Sequence, residues 1–154
     1  MQKISSYTID INRKKVIDFL SIPYHLKQWT IHRHLYLLNE ECFETSNVNG
    51  VTTFTKIEVI KTHEDEKERL RFLWTRAGNI IKFFDFEINV IDNTATYIEV
   101  TIPKLPPADK LKRLERLLHI EFKLLEKILN GQALSIKKED ALFMEYYIQQ
   151  LRNE

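Results

Sequence analysis

Glu121 stands where a carboxylate is costly. It falls about midway between Leu117 and Leu125 within an otherwise apolar helical arc, so its charge must be paired or must reach water. A strand arginine such as Arg71 or Arg76 would satisfy it through a structural ion pair. Four aromatic residues offer a different chemistry, that of recognition. Phe72, Trp74, Phe84 and Phe86 occupy alternating strand positions. They line a pocket for a flat or aliphatic ligand if the covering layer stands off, and fill an ordinary core if it does not. The residues alone leave both outcomes open.

The other reactive side chains form no constellation. His25, His32 and His34 cluster in the chain, and His32 and His34 share a face of an extended segment, but no third ligand stands at useful spacing, so no metal is assigned. Cys42 is the only cysteine, which excludes an intramolecular disulfide and reads as a small buried hydrophobe. There is no Gly-x-Ser-x-Gly elbow, and three glycines do not make a phosphate-binding loop. No catalytic residue and no cofactor is assigned.

Bulk composition narrows the function classes further. With 154 residues, 44% of them hydrophobic, the chain is about one domain long and can bury a core. Its 23 basic and 22 acidic residues nearly cancel, so no global field draws in nucleic acid or an anionic membrane. On the long helix the basic residues interleave with Glu115 and Glu126, as on a solvated face. No apolar run approaches the roughly 18 residues of a membrane span, and residues 1–13 lack the profile of a signal peptide. A cytoplasmic protein without a membrane span is expected.

Several elements must position these residues. Residues 4–11 place Tyr7, Ile9 and Ile11 at period two, which predicts a strand, and Asn12 then supplies an N-cap oxygen for a helix carrying Val16, Ile17, Phe19 and Leu20. Pro23 ends that helix and opens a second, short one over residues 24–29, whose Tyr24, Leu26 and Trp29 plug one end of the core. From 34 to 102, β-branched and aromatic residues dominate, and the breaks carry turn chemistry, so an antiparallel meander is expected. Asn49-Gly50, Gly78-Asn79 and Asp92-Asn93 supply its turns, and residues 64–68 form a charged hairpin tip.

The apolar faces of Leu70, Phe72 and Trp74, of Phe84, Phe86 and Ile88, and of Ile98, Val100 and Ile102 need a cover. The long segment 109–130 provides it, with Asp109 as cap and Gly131 as terminator. On a helical wheel Leu111, Leu114, Leu117, Leu118, Phe122, Leu125, Ile128 and Leu129 share one broad arc. The expected fold class is therefore α+β, a curved antiparallel sheet packed on a long C-terminal helix, with two short helices near the N-terminus.

That element order, with the phrase Val16-Ile17-Asp18-Phe19-Leu20-x-x-Pro23-x-x-Leu26-x-x-Trp29, resembles the START-like (SRPBCC, helix-grip) superfamily of birch-pollen-allergen-like proteins. The phrase is similar to the opening of bacterial members, including the chaperone-ATPase-activator branch. The resemblance covers residues 1–131, and 132–154 form a C-terminal helical extension. It implies a cavity between sheet and long helix, where Glu121 would orient a polar ligand head or transfer a proton from a raised pKa. The resulting expectation is a non-enzymatic binding protein for a small hydrophobic or amphipathic ligand, lined by Phe72, Trp74, Phe84, Phe86, Leu118, Glu121 and Phe122. The resemblance equally admits a protein-interaction module of chaperone-activator type, or a cyclase- or hydratase-like enzyme pairing Glu121 with Tyr97 or His25. In the extension, Leu142, Phe143, Tyr146 and Tyr147 share a side of a short helix that Ser135 or Asp140 caps. That face needs cover, either from the outer surface of the chain's own sheet or from a second copy in a homodimer, which is the expectation stated here.

Overall fold

The computed structural model describes residues 1–30, 33–64 and 67–152. Strand β1 (Gln2–Ile9) leads into α1 (Arg13–Leu20), then a single 3-10 turn (Pro23–His25) runs into α2 (Leu26–Trp29). A meander follows: β2 (Leu35–Leu38), β3 (Glu41–Val48), β4 (Val51–Glu64), β5 (Lys67–Arg76), β6 (Asn79–Val90) and β7 (Thr96–Ile102). Two helices close the chain, α3 (Ala108–Leu129) and α4 (Lys138–Arg152). The strands form one antiparallel sheet of order β1-β7-β6-β5-β4-β3-β2, so β1 closes the far edge beside β7. The expected fold class is the observed one.

Turn chemistry sets the register of the meander. Asn49 and Gly50 both take positive φ, 52° and 79°, and close the Val48↔Val51 pair as a two-residue hairpin requires. The next such turn differs by one residue from the expected Gly78-Asn79. Ala77 and Gly78 take φ of 51° and 80°, and Asn79 already pairs with Arg76 as the first residue of β6. A third turn, Asn39-Glu40, also lies at positive φ without any glycine, because Asn tolerates the left-handed region. Between β6 and β7, the Asp92 carboxylate accepts from the backbone N–H of Thr94 and of Ala95 at 2.7 and 2.9 Å. Of the charged tip between β4 and β5, residues 65 and 66 lie outside the described residues.

Helix ends follow local rules with one exception. Asn12 Oδ1 accepts from Lys15 N at 2.9 Å and caps α1. Asp109 does not cap α3: the N-cap is Pro107, whose carbonyl accepts from Leu111 N at 2.9 Å. Proline holds the extended backbone that a cap position needs, and Asp109 falls in the first turn, where its charge suits the helix dipole. At the other end Gly131 lies at φ 66°, and the N–H of Gln132 and of Gly131 donate to Lys127 O and Ile128 O at 2.8 and 3.1 Å. This Schellman arrangement satisfies the last carbonyls of the helix.

Cross-strand pairing stacks the inner face of the sheet in rows. Cys42, Ile57, Trp74 and Lys82 form one row, and Leu70, Phe86 and Val100 another. The C-terminal half of α3 packs tightly on this face through Phe122, Leu125 and Leu129, all buried. Phe122 stacks on Tyr7 of β1 and on Trp29 of α2, with ring centroids 5.5 and 5.7 Å away. Trp29 thereby plugs the core beside the short helices. Each such aromatic burial contributes on the order of 2–3 kcal/mol.

The extension finds its cover in a place the sequence reading did not consider. Met144 of α4 is buried against Leu117 and Ile120 of α3, flanked by Phe143 and Tyr147. Arg116 stacks over Phe143 at 4.3 Å and reaches Asp140 at 3.7 Å, and Arg113 hydrogen-bonds Gln150. Leu142 and Tyr146 remain exposed, so the packed face is rotated from the expected one and centres on Met144. The face on which the expected dimer rests is in part occupied within the chain. Ser135 caps nothing; its hydroxyl and carbonyl accept from Lys127 Nζ at 2.9 and 2.7 Å. Asp140 lies inside the first turn of α4, and the side chain of Leu151 is outside the described residues.

Candidate functional site

The helix grips the sheet with its C-terminal half and stands off with its N-terminal half. Between them lies a cavity of about 970 Å³, open on one side. Its walls come from α3 (Leu114, Leu117, Leu118, Glu121), from β6 (residues 80–84 and Phe86), from α2 and from the β7–α3 connection, and α4 adds Tyr147 and Ile148. Pro103 and Pro106 shape that connection: prolines hold it extended, so α3 begins at a distance from β7. Such a volume falls within the range of small-molecule sites.

Four of the seven residues expected at a ligand site line this cavity, namely Phe84, Phe86, Leu118 and Glu121. The other three, Phe72, Trp74 and Phe122, are fully buried and do not line it; Phe86 borders the cavity although it too is fully buried. Phe72 stacks on Phe84 at 5.0 Å, Trp74 tilts against Phe84 at 5.2 Å, and Phe122 meets Phe86 at 5.6 Å. The aromatic set is thus both wall and core, with the boundary running between Phe84 and Phe72.

One end of the cavity is polar. Arg33, which follows α2, pairs with Glu44 of β3 at 2.9 Å, and its guanidinium lies over the Trp74 ring, 4.9 Å from the centroid. Lys82 of β6 places its ammonium over the same ring at 4.7 Å. Lys82 carries accessible surface because the cavity it lines is open. Its ammonium is nevertheless crowded by protein, and burial, then the charge of Arg33, pushes its pKa down to about 8 against the opposing pull of Glu44. Glu121 is only 2% exposed, and burial pushes its carboxyl up to about 8, although Arg33 works in the other direction. The charge that acts on it is that of Arg33, and neither strand arginine faces it. Arg71 points out of the opposite face and clasps Asp85 at 2.8 and 3.0 Å; Arg76 donates to Thr55 Oγ1 at 2.9 Å.

The remaining candidates fall elsewhere. His25 contacts Phe19 O through Nδ1 at 2.8 Å and stacks on the Phe19 ring, and Tyr97 accepts from Lys3 on the outer face. Neither lines the cavity, so neither is placed to exchange a proton with Glu121 there. His34 is at the cavity wall, and His32 lies outside the described residues. Cys42 is buried, and burial with nearby Glu44 pushes its thiol up to about 11, which leaves it protonated and unreactive at neutral pH.

No family model matches the chain, and no curated protein matches it. Solved structures do share its architecture. A START superfamily protein from Mycobacterium smegmatis is similar over 82% of this chain and 94% of its own, with a TM-score of 0.52 at 13% identity. The chain has the START-like helix-grip fold. A conserved protein of unknown function from Enterococcus faecalis matches over 96% of this chain and 82% of its own, at TM-score 0.54 and 14% identity. A hypothetical protein from Helicobacter pylori matches over 80% and 86%, at 0.51 and 11%. Identities this low carry the START-like fold and leave function to the site itself.

Within that START-like fold, sequence reasoning missed the polar end of the cavity. Lys82 is in phase with Phe84, Phe86 and Ile88, so alternation alone marks it as an inward lysine on an apolar face. Glu44 is likewise in phase with buried Cys42. Arg33 belongs to no periodic element and carries no such signal. Among the described residues no helix is long and apolar enough to cross a membrane.

Proposed function

We propose that this chain is a binding protein that holds a small hydrophobic or amphipathic molecule between the sheet and α3. The observation that carries the reading is the cavity itself, about 970 Å³ across the standoff of α3, walled by Phe84, Phe86, Leu118 and Trp29 with polar groups that include Arg33, Glu44 and Lys82. Apolar walls with a few convergent polar groups are the general form of a small-molecule site. The second layer of Phe72, Trp74 and Phe122 supports it by holding the wall aromatics in place, since each touches a wall ring at about 5–6 Å. Binding without turnover is favoured over the proton-transfer alternative because Tyr97 and His25 lie away from the cavity.

Trp29 lines the cavity and Trp74 does not, so a Trp74→Phe protein reports on the site through Trp29 alone. Titration with long-chain fatty acids, sterols and flat aromatics should change its fluorescence saturably for at least one class. Native mass spectrometry of the protein purified from cells should show a co-purifying small molecule. A protein that carries nothing and responds to no class would overturn the reading.

A further inference from the structure

The contact that docks α4 and the wall of the cavity share side chains. Leu117 of α3 is buried in the cluster that holds Met144, and it also lines the cavity. Tyr147 follows Met144 by three residues and so lies on the same face of α4. It packs on that cluster and lines the cavity as well, with Ile148 beside it. The rest of the helix is held nearer the surface. Among the described residues of α4 only Met144 is buried, and Leu142 and Tyr146 are exposed. Arg116, itself half exposed, reaches Asp140 at 3.7 Å, and such a surface pair contributes little. Residues 132–137, which lead into α4, form neither helix nor strand, and Lys127 Nζ ties Ser135 to α3. The helix is thus tethered at its root and anchored by one side chain, and an element held in this way opens more readily than the sheet beneath it.

We propose that α4 is a lid on the cavity, and that its docking through Met144 and occupation of the cavity by a hydrophobic molecule stabilise one another. This rests on the binding function proposed above and names the regulation of the same site. With α4 docked, the occupant packs against Tyr147 and Ile148 as well as Leu117. With α4 released, those two side chains leave the wall and water reaches the occupant from that side, so release quickens. The coupling is reciprocal: whatever factor docking adds to ligand affinity, the ligand adds to docking.

The uncharged fluorophore phenylnaphthylamine serves as the probe, followed by stopped-flow fluorescence on the full-length chain. Met144→Asp puts a charge into the docking contact and should release the probe about five-fold or more faster than the wild type. Retained hydrogen-exchange protection in β5 and β6 shows that the sheet of this variant is intact. Tyr147→Ala trims the wall and leaves Met144 in place, and it should also speed release, whereas Leu142→Ala on the exposed side should behave as the wild type. Conversely, saturating probe should slow exchange of α4 amides in the wild type by the factor that separates its affinity from that of Met144→Asp. If Met144→Asp loses the protection of β5 and β6, Tyr147→Ala and the exchange experiment on the wild type decide. Equal release rates from wild type and variants, or α4 exchange that the probe leaves unchanged, would overturn the lid while leaving the cavity a binding site. Binding by Met144→Asp alone would overturn it too, since docking would then oppose occupation. Binding by none of the proteins would overturn both readings.

Discussion

Glu121 and Lys82 begin far apart in pKa and are both driven to about 8, in each case by burial before any other cause. Their effects on stability fall in different pH windows. A carboxyl raised from 4.5 keeps its proton in the folded protein while the unfolded chain has lost it. Its contribution is thus complete below about 4.5 and lost as the pH rises to about 8. A lysine lowered from 10.5 to about 8 acts only above that window, where stability gains with rising pH. Glu121→Gln keeps the shape and removes the ionisation, so it should lose less stability than the wild type between about pH 5 and 8. The difference should be on the order of a few kcal/mol, measured by urea denaturation across that range. Arg33, Glu44, Lys82 and His34 are common to both proteins, so the difference isolates position 121. Parallel curves would mean that the carboxylate is ionised throughout.

Elements differ in how firmly they are held. The helix α1 is fixed locally by its Asn12 cap, and Asn12→Ala should cost about 1 kcal/mol, which thermal denaturation would register as a modest fall in Tm. Among the described residues of α4 one side chain is buried, Met144, against Leu117 and Ile120. Met144→Ala should cost about 2 kcal/mol and, more tellingly, should speed hydrogen exchange in α4 while amides of β5 and β6 keep their protection. Uniform acceleration would show instead that α4 belongs to the global folding unit. Because Tyr147 and Ile148 reach the cavity wall, a released α4 also widens the mouth of the site.

At the scale of the whole molecule, the site is an interval between two layers that meet at one end and part at the other. Filling that interval is a direct test of its reality. Leu118 lines the cavity on α3, and Leu118→Trp would clash in a packed core, where added volume costs about 1–3 kcal/mol. Here the larger side chain has room, so stability in chemical denaturation should change by less than about 1 kcal/mol while binding of any cavity ligand falls sharply. A large loss of stability would show that α3 and the sheet are closed on each other.

What the chain determined by itself was local in range. Alternation of Leu70, Phe72 and Trp74 fixed a strand face, the apolar arc of residues 111–129 a one-sided helix, Asn49-Gly50 a hairpin, and Gly131 a helix end, because each depends on residues within a turn or two of each other. Even the anomaly of Glu121 was legible, as a carboxylate on an apolar arc. The charge acting on it was not: Arg71 and Arg76 stood on the right kind of element, but Arg71 clasps Asp85 and Arg76 bonds Thr55, and the charge that acts comes from Arg33 in a connection without periodicity. Tertiary structure alone decided that Phe84 is wall while Phe72 is core, since that boundary lies where α3 leaves the sheet, a distance set by the Pro103–Pro106 connection and by the bulk of Trp29 and Phe122 beneath the far half of the helix. It alone turned α4 onto α3 through Met144, because a helix with apolar residues on more than one side is oriented by whichever neighbour offers the deeper contact, and that neighbour lies far away in the sequence.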